Sequence, residues 1–360
     1  MKILIITNHS YMLYRFRREL IAELMKDHEV VLSMPFVGHE DDFQAMGLRC
    51  IHTEVDRRGI NPKTDMKLLM TYRKLLKDEK PDMVITYSIK PNIYAGLACA
   101  AMGIPYCANV QGLGTAFQRK GLAQFVTMLY KMAMGRAKTV FFENQGNAGE
   151  FLDRRIIPAE KITVLNGAGI NLAEYPLQPY PENDRVRFLY LGRIMVEKGI
   201  GELFTAIRRL HDEMGDKVAL DLVGFFDDDY KEQVDALVED GIAVFHGFQP
   251  EPRPYYAAAD CVVLASYHEG MSNVLLEAAA TGRPVITSDI YGCQETVDSG
   301  STGLLCRVRD ADSLYEQMRA MALLSAERRA AMGRAGREKM EREFDKAEVV
   351  RRTVDAIFRT

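Results

Sequence analysis

Several features that define other protein classes are missing from this 360-residue chain. Its six cysteines, at positions 50, 99, 107, 261, 293 and 306, form no C-x-x-C pair and lie in apolar stretches. We therefore expect buried thiols and neither a zinc site nor a disulfide framework. No strand pattern is followed by G-x-G-x-x-G, which argues against a dinucleotide-dependent oxidoreductase. The chain also contains no low-complexity segment and no solenoid repeat.

A long hydrophobic run is missing as well. The longest mostly apolar stretch, residues 95–110, is interrupted by Gly103 and Pro105 and is too short to span a bilayer. Residues 1–7 read directly as a strand, so we expect no signal peptide. Together these patterns predict a protein that is made and kept in the cytoplasm.

Charge is distributed unevenly, although the net charge is only −4. Residues 1–175 hold 23 Lys and Arg against 18 Asp and Glu (+5), whereas the remainder holds 23 against 32 (−9). A positive amino-terminal half in an otherwise acidic protein favours an anionic partner, such as a diphosphate lipid or an anionic membrane surface, and we expect no nucleic-acid partner. Plain solvation of these charges explains the asymmetry equally well.

Strand and helix patterns alternate along both halves of the chain, which predicts parallel sheets covered on both faces. A polar, Pro-rich linker at residues 175–184 separates the halves. We therefore predict an α/β protein with two Rossmann-like domains, residues 1–178 and 185–345.

The most informative stretch is residues 261–289, CVVLASYHEGMSNVLLEAAATGRPVITSD. It predicts a buried strand, a loop, a short helix at residues 274–281 and a second strand. Ser272 or Asn273 is the natural N-cap, so the N–H groups of residues 270–274 should point out of the helix start, where the dipole favours an anion.

Two carboxylates flank this helix start, Glu269 just before it and Glu277 one turn into it. The N–H groups suit a diphosphate, and the carboxylates suit the hydroxyls of a ribose and a sugar, so the pattern favours a nucleotide sugar. The alternative is a surface helix with two unrelated, solvated glutamates.

A pair of cations, Arg193 and Lys198, lies in a short strand-to-helix loop between Gly192 and Gly199. Arg can bind two phosphate oxygens with its planar fork and Lys acts as a point charge, so the pair predicts a diphosphate clamp. Two solvated charges in a polar loop would give the same pattern.

The spacing E-G-x-x-x-x-x-L-E from Glu269, followed by A-x-x-x-G-x-P-V-I, resembles the retaining glycosyltransferases of family 4, which have the GT-B fold. The resemblance implies two domains that face each other across a cleft, with the last helix, residues 346–360, packing back on the first domain. It also implies catalytic roles for Arg193, Lys198 and Glu269, and a role for Glu277 in holding the ribose. The donor-binding residues that it implies are Gly192, Phe248, Gly270, Met271, Ser272, Asn273, Val274 and Glu277.

Short segments of the first half resemble one subgroup, the N-acetylgalactosaminyl and galactosyl transferases that act on undecaprenyl-diphosphate-linked sugars. These segments are Tyr14-Arg15-Phe16-Arg17, Asn61-Pro62, Lys90-Pro91-Asn92 and Gln111-Gly112-Leu113-Gly114-Thr115. The acceptor-binding residues that the resemblance implies are His9, Tyr14, Arg15, Arg17, Lys90, Asn92, Gln111 and Gly112. Two departures stand out: the loop at residues 7–11 has no glycine, and residues 109–111 have no histidine. A lone histidine after a strand is more often simply a polar loop residue, and this alternative applies to His9 and to His268.

Two further segments carry alternatives. The triplet Asp227-Asp228-Asp229 follows a strand and contains D-x-D, which binds a divalent metal in another glycosyltransferase fold. We expect no metal, because Arg193 and Lys198 would already neutralise the diphosphate and Asp229 is placed to cap the next helix. The apolar helix at residues 122–135, flanked by Arg119, Lys120, Arg136 and Lys138, is either a buried domain helix or a membrane-docking helix.

These patterns predict a metal-independent, retaining transferase that moves a hexose or N-acetylhexosamine from a UDP-sugar to a polyprenyl-diphosphate-linked glycan. We expect it at the inner face of the cytoplasmic membrane. The alternatives are a transferase to a soluble acceptor, a sugar-nucleotide epimerase and a non-catalytic sugar-nucleotide-binding protein.

Overall fold

The structure, a computed structural model, describes residues 1–56, 61–113, 117 and 120–359. Gly114, Thr115 and Arg119, which the sequence pattern singled out, lie outside the described residues. Internal contacts divide the chain into two compact units. One comprises Met1–Ala168 with Ala347–Thr360, and the other comprises Gly169–Lys346.

The first unit is built on a seven-stranded sheet whose paired strands are all parallel, in the order β3-β2-β1-β4-β5-β6-β7. Its strands are β1 (Lys2–Ile6), β2 (Glu29–Met34), β3 (Arg49–His52), β4 (Met83–Tyr87), β5 (Tyr106–Val110), β6 (Thr139–Phe142) and β7 (Ile162–Val164). The helices between them are α1 (Ser10–Met25), α2 (Glu40–Ala45), α3 (Pro62–Glu79), α4 (Ile89–Met102), α5 (Lys120–Met134) and α6 (Gln145–Asp153).

Apolar residues of β1 divide between two core clusters, as expected for a sheet that is buried on both faces. Leu4 and Ile6 pack with α3, α4 and α5, whereas Ile3 and Ile5 pack with α1. The second cluster also includes Val349 and Ile357, which belong to the last helix of the chain, residues 346–358.

The second unit has a six-stranded parallel sheet in the order β10-β9-β8-β11-β12-β13. Its strands are β8 (Val186–Leu191), β9 (Val218–Val223), β10 (Ala243–Phe245), β11 (Cys261–Leu264), β12 (Val285–Ser288) and β13 (Gly303–Cys306). Its helices are α7 (Ile200–Met214), α8 (Lys231–Glu239), α9 (Arg253–Ala258), α10 (Asn273–Ala280), α11 (Ala311–Leu323) and α12 (Ala326–Glu343), and α13 (Lys346–Phe358) then ends the chain.

The alternation of strands and helices predicted for both halves is confirmed, with two differences. The sequence pattern missed β13, because its four residues form too short an apolar run to be distinguished from a turn. Residues 169–178, which we assigned to the first domain, lie in the second unit. They are held there by backbone bonds such as Gln178 N–H to Thr281 O (3.2 Å) and by the buried Arg283, which donates to Gln178 O (3.3 Å).

Candidate active site

The predicted donor residues lie in loops at one end of the second sheet, where the carboxyl ends of β8, β9 and β11 meet. β8 pairs with β9 on one side and with β11 on the other. The loops that follow these three strands are therefore neighbours, although they are far apart in sequence. Arg193 and Lys198 follow β8, Asp227 follows β9, and Glu269 follows β11.

Lys198 and Glu269 form the central ion pair of the site. The Lys198 Nζ lies 2.5 Å from Glu269 Oε1, and the hydroxyl of Ser266 donates to the same oxygen at 2.7 Å. Both charged side chains are partly exposed, whereas Ser266 is completely buried. Sequence reasoning missed Ser266, although a hydroxyl three residues before Glu269, at the end of a strand, could have indicated it.

A close backbone approach at Gly199 makes this ion pair possible. Gly199 has φ +67°, and a Cβ atom there would lie 2.1 Å from the carbonyl oxygen of Ala265. Only glycine allows that conformation and that approach together. The loop that carries Lys198 is thereby pressed against the end of β11, which places its side chain beside Glu269.

Arg193 forms a second ion pair at this edge of the sheet. Its Nη1 donates to Asp227 Oδ2 at 2.7 Å, and its side chain remains 48% exposed. Glycine again permits a close backbone approach, here between the loops after β8 and β9: a Cβ at Gly224 (φ +153°) would lie 1.8 Å from the carbonyl oxygen of Gly192. Asp229 makes no helix cap: the N-cap of α8 is Tyr230, with no side-chain hydrogen bond, so our prediction for Asp229 was wrong.

The start of α10 offers fewer N–H groups than the sequence pattern predicts. The helix begins at Asn273, one residue early, and Ser272 is its N-cap, accepting from Leu275 N–H. The Ser272 N–H donates to Gly292 O at 2.9 Å, so it does not point toward a ligand. Within the described part of the chain, no acceptor occupies the N–H groups of Asn273 and Val274, which remain suited to an anion.

Glu277 is more enclosed than Glu269. It lies on α10, is buried, and accepts a hydrogen bond from the Tyr256 hydroxyl of α9 at 2.8 Å. Tyr256 was not predicted from the sequence; no local pattern links it to Glu277, because the contact joins two different helices. The bond fixes the Glu277 carboxylate and leaves it acceptor capacity for further hydroxyls.

The loop after β10, which carries the predicted donor residue Phe248, presents an aromatic surface. Phe248 and Phe225 are both exposed and pack edge to face, with ring centroids 6.1 Å apart. Gly247 accepts from Gly224 N–H at 2.9 Å, which ties this loop to the loop after β9. Phe248 therefore lies on the same sheet edge as Arg193.

Two neutral groups lie near the Lys198–Glu269 pair. Burial raises the pKa of the Tyr190 hydroxyl well above its ordinary value, and the Glu269 charge adds to this effect. Burial likewise raises the pKa of the Cys293 thiol, again with help from Glu269. Both groups therefore stay uncharged at neutral pH and add no charge next to Lys198 and Glu269.

In the first unit, a cavity of about 190 Å³ opens at the carboxyl ends of β1 and β4. Three of the predicted acceptor residues, His9, Arg17 and Gln111, line it. The full lining is Thr7, Asn8, His9, Met12, Leu13, Arg17, Tyr87, Ser88 and Gln111. Hydroxyl, amide and imidazole groups dominate the polar part, which suits hydrogen bonding to a neutral polar ligand.

Arg17 lies in the wall of this cavity. Its Nη2 donates to Glu143 Oε1 at 2.5 Å, and its guanidinium lies over the ring of Tyr87, 5.4 Å from the centroid. Burial raises the pKa of Tyr87 to about 12, although the Arg17 charge opposes that shift. The charge of Arg17 is thus largely committed within the protein.

The remaining predicted acceptor residues do not line the cavity. Asn92 is buried, donating to Asn109 O and accepting from the Thr86 hydroxyl, each at 2.7 Å, so its amide is used internally. Lys90 is buried and forms an ion pair with Asp65, with its Nζ 2.9 Å from Asp65 Oδ1. Tyr14 stacks on His39, with centroids 4.4 Å apart. Arg15 and Gly112 are partly exposed.

The apolar helix α5 is neither fully buried nor long enough to span a bilayer. Val126 and Tyr130 pack in the core, whereas Phe125, Met128 and Met132 are exposed at helical spacing on one side. One face of the helix is therefore core and another is an exposed apolar stripe, so membrane docking stays a prediction. Among the described residues, no helix combines the length and hydrophobicity needed to cross a membrane.

Comparison with known proteins gives the same assignment for both halves. Residues 2–144 match the model of the glycosyl transferase 4-like family, and residues 185–323 match that of glycosyl transferases group 1. The N,N'-diacetylbacillosaminyl-diphospho-undecaprenol alpha-1,3-N-acetylgalactosaminyltransferase of Campylobacter jejuni is 28% identical over 88% of each chain. The UDP-Gal:alpha-D-GlcNAc-diphosphoundecaprenol alpha-1,3-galactosyltransferase of Escherichia coli is 26% identical over 79% of this chain and 77% of its own.

Among solved structures, Anabaena HepE in complex with UDP and glucose superimposes with a TM-score of 0.80. The two chains are 16% identical, and 99% of each is covered. At that identity the likeness establishes the fold, which is the two-sheet architecture predicted from the sequence. With the two family matches and the motif at Glu269, it follows that the chain belongs to the family 4 glycosyltransferases, retaining enzymes of the GT-B fold.

Proposed function

We propose that the protein transfers a hexose or N-acetylhexosamine from a UDP-sugar to a glycan carried on undecaprenyl diphosphate, without a divalent metal. The observation that carries this proposal is the pair of cations at the end of β8, with Lys198 held against Glu269 and Arg193 half exposed beside them. Two cations next to the N–H groups of Asn273 and Val274 supply the charge that a diphosphate requires.

The proposed reaction follows from this charge distribution. The acceptor hydroxyl oxygen forms a bond to the anomeric carbon on the face from which the diphosphate departs. The bond from that carbon to the phosphate oxygen breaks, and the departing oxygen takes the proton of the hydroxyl. Arg193 and Lys198 stabilise the negative charge that grows on the leaving group, which is the main catalytic contribution expected of this site.

Support for a lipid-linked acceptor comes from the first unit and from the relatives. The names of the Campylobacter jejuni and Escherichia coli enzymes both specify sugars on diphospho-undecaprenol. The α5 stripe of Phe125, Met128 and Met132 would insert at the surface of an anionic membrane, with exposed Lys131 on the same helix meeting lipid phosphates. The cavity at His9 would receive the sugar end of the acceptor.

The donor is tested first by thermal unfolding with UDP, GDP and ADP, each with and without EDTA. A nucleotide at about a hundred times its Kd stabilises the folded state by about 2.7 kcal/mol. We expect a rise with UDP that EDTA does not change. A larger rise with GDP would contradict the uridine assignment, and loss of the UDP shift in EDTA would contradict the metal-free clamp.

The clamp is tested by Arg193→Ala and Lys198→Ala in a transfer assay with UDP-sugars and a polyprenyl-diphosphate-linked acceptor. Each variant should lower kcat roughly a hundredfold to a thousandfold, as loss of a charge-stabilising donor does elsewhere. Arg208→Ala is the matched control, because Arg208 is similarly exposed and binds one carboxylate, Asp240. Near-full activity of either clamp variant would refute the proposal.

Membrane docking is tested by flotation with vesicles that contain anionic lipid. Replacing Met128 and Met132 by serine should reduce binding, whereas Leu323→Ser, an equally exposed apolar residue in the second unit, should not. Unchanged flotation of the α5 variant would exclude this stripe as the docking surface and leave the donor site unaffected.

A further inference from the structure

The three consecutive aspartates after β9 have a different use from the one their spacing suggests. As a triplet containing D-x-D they resemble a divalent-metal site. In the structure, two of the three side chains bind the neighbouring loop that carries Arg193 and Lys198. Among the described residues, no three His, Cys, Asp or Glu side chains converge in a way that could hold a metal ion.

The loops after β8 and β9 are joined by a row of backbone hydrogen bonds. Ile194 N–H donates to Phe225 O at 2.8 Å, and Ile194 O accepts from the N–H groups of Asp227 and Asp228 at 3.0 and 3.2 Å. A parallel bridge between Ile194 and Phe226 extends the register of the two strands. The acidic segment is therefore fixed relative to the loop that carries the two cations.

Side chains complete this connection at both cations. Asp227 accepts from Arg193 Nη1, and Asp228 Oδ2 accepts from the Val196 N–H at 2.8 Å, two residues before Lys198. Asp229, by contrast, makes no hydrogen bond or ion pair within the described part of the chain. The three aspartates, identical in type, thus differ in what they contact.

The contact at Arg193 leaves most of its guanidinium available. Within the described residues, only Nη1 donates to a protein acceptor, so Nε and Nη2 keep their N–H groups for a ligand. Those two nitrogens form one edge of the fork, which is the edge that binds two phosphate oxygens side by side. A half-exposed arginine otherwise loses rotamer entropy when it is fixed by a ligand.

We infer that Asp227 is a positioning residue that holds Arg193 ready to bind the donor diphosphate, and that Asp228 does the same for the backbone before Lys198. This inference rests on the proposed function, since it requires a diphosphate at Arg193. Asp227 acts only through Arg193. Its removal should therefore weaken diphosphate binding and leave binding of the nucleoside alone unchanged.

The test is calorimetric titration of the full-length protein with UDP and, separately, with uridine. Asp227→Asn should bind UDP roughly tenfold more weakly, because the ligand must then order the arginine itself, while uridine binding stays the same. Asp227→Glu should recover part of the affinity. Asp229→Asn removes the same charge two residues away and serves as the matched control, with wild-type affinity expected.

A double variant separates positioning from a general structural effect. If Asp227 acts through Arg193, Asp227→Asn combined with Arg193→Ala should bind UDP no more weakly than Arg193→Ala alone. If the double variant binds UDP more weakly than Arg193→Ala by the same factor that Asp227→Asn alone shows, the two residues act independently and the inference is overturned. Tighter UDP binding by Asp227→Asn would also overturn it, because the aspartate would then compete with the phosphate for Arg193. Loss of binding in Asp229→Asn together with a requirement for Mg²⁺ would restore the metal site.

The outcomes also distinguish this inference from the proposed function. Wild-type UDP affinity in Arg193→Ala would remove the clamp, and the role of Asp227 with it. Weak binding by Arg193→Ala together with unchanged binding by Asp227→Asn would reject the positioning role alone.

Discussion

Each unit contains an arginine–carboxylate pair at the carboxyl ends of its strands, and the two pairs differ in their access to water. In the first unit, the side chains of Arg17 and Glu143 are 8% and 13% exposed, and Tyr87 lies against the guanidinium. In the second unit, those of Arg193 and Asp227 are 48% and 19% exposed. The distances are similar, 2.5 and 2.7 Å, so burial and not contact geometry separates them.

This difference indicates opposite roles for two pairs of the same chemistry. A buried pair cannot lose one partner without leaving an uncompensated charge, so it is a fixed part of the structure. An exposed pair contributes little to stability, and its arginine remains able to bind a ligand. The cavity of the first unit is therefore lined mainly by neutral polar groups. In the second unit, the positive charges of Arg193 and Lys198 remain accessible to a ligand, and close backbone contacts fix the loop that carries them.

The substitution with the largest expected effect is Gly199→Ala, which tests the close backbone contact between the Lys198 loop and the end of β11. The added Cβ would lie 2.1 Å from Ala265 O in a residue with φ +67°, so the loop that carries Lys198 must move away from β11. We expect a loss of more than about 4 kcal/mol of unfolding free energy, together with loss of activity.

The control for this change is Gly103→Ala at the end of α4. Gly103 has φ +70° in the same left-handed region as Gly199, but no atom lies within 4 Å of an added Cβ. It should lose only the cost of the left-handed conformation, about 1–2 kcal/mol. Equal losses in urea unfolding of the two variants would show that the close approach at Gly199 is unimportant.

The buried pair is tested by Glu143→Gln, which leaves Arg17 charged and poorly compensated. We expect the unfolding free energy to fall by roughly 3–5 kcal/mol. Asp227→Asn, the corresponding change in the exposed pair, should cost less than about 1 kcal/mol. If the two variants lose equal stability in chemical denaturation, the contrast between the units is incorrect.

Ser266→Ala sharpens the comparison within the second unit, because it removes a buried hydroxyl that donates to Glu269. Stability should fall by about 1 kcal/mol, and kcat should fall roughly tenfold as the carboxylate loses its orientation. Thr287→Val is matched, since the fully buried Thr287 hydroxyl donates to Leu264 O at 2.7 Å. That control should lose similar stability with full activity; parallel losses of activity would rule out a specific role for Ser266.

The smallest effect is expected at Glu79, a partly buried carboxylate of the first unit whose two partners, Arg49 and Lys2, are more exposed than it is. The hydrogen bond from Arg49 lowers the pKa of the Glu79 carboxyl, burial opposes the shift, and Lys2 lowers the pKa further. The stabilisation is present above the unfolded pKa of about 4.3 and is lost as pH falls through the lower folded pKa.

Glu79→Gln should therefore lower the unfolding free energy by under about 1 kcal/mol at pH 7, and the difference from wild type should shrink below about pH 4. Glu54→Gln, at an exposed position, is the control and should show no such trend. A difference that grows on acidification would have the wrong sign for this ion pair.

Most of the fold was predictable because its signals are local. The sequence patterns predict strands at Lys2–Ile6, Met83–Tyr87 and Tyr106–Val110, and β1, β4 and β5 have these bounds, since a short apolar run identifies a buried strand. Helix starts were less predictable: the patterns predict starts at Leu13 and Asn92, whereas α1 begins at Ser10 and α4 at Ile89, three residues earlier in each case. Neither has a side-chain cap hydrogen bond, so the usual start signal is missing.

The candidate site was predictable in residue types but not in contacts. The spacing around Glu269 and the cations Arg193 and Lys198 indicated the right loops, and the roles of these residues remain predictions. Asn92 was expected to contact the acceptor because Lys90-Pro91-Asn92 resembles a segment of the undecaprenyl-diphosphate subgroup. Its amide instead bridges β4 and β5, a use that only the neighbouring strand reveals.

The sequence by itself determined the two α/β halves, the family, and the charged and glycine residues at the strand ends, because each depends on local patterns or short motifs. Only the tertiary structure decided that Lys198 meets Glu269, that Arg193 meets Asp227, and that the Ser272 N–H is already occupied. The physical reason is the strand order, in which β8 lies between β9 and β11. Arg193 and Asp227 are separated by 34 positions in sequence, and Lys198 and Glu269 by 71, yet each pair is hydrogen-bonded in the fold.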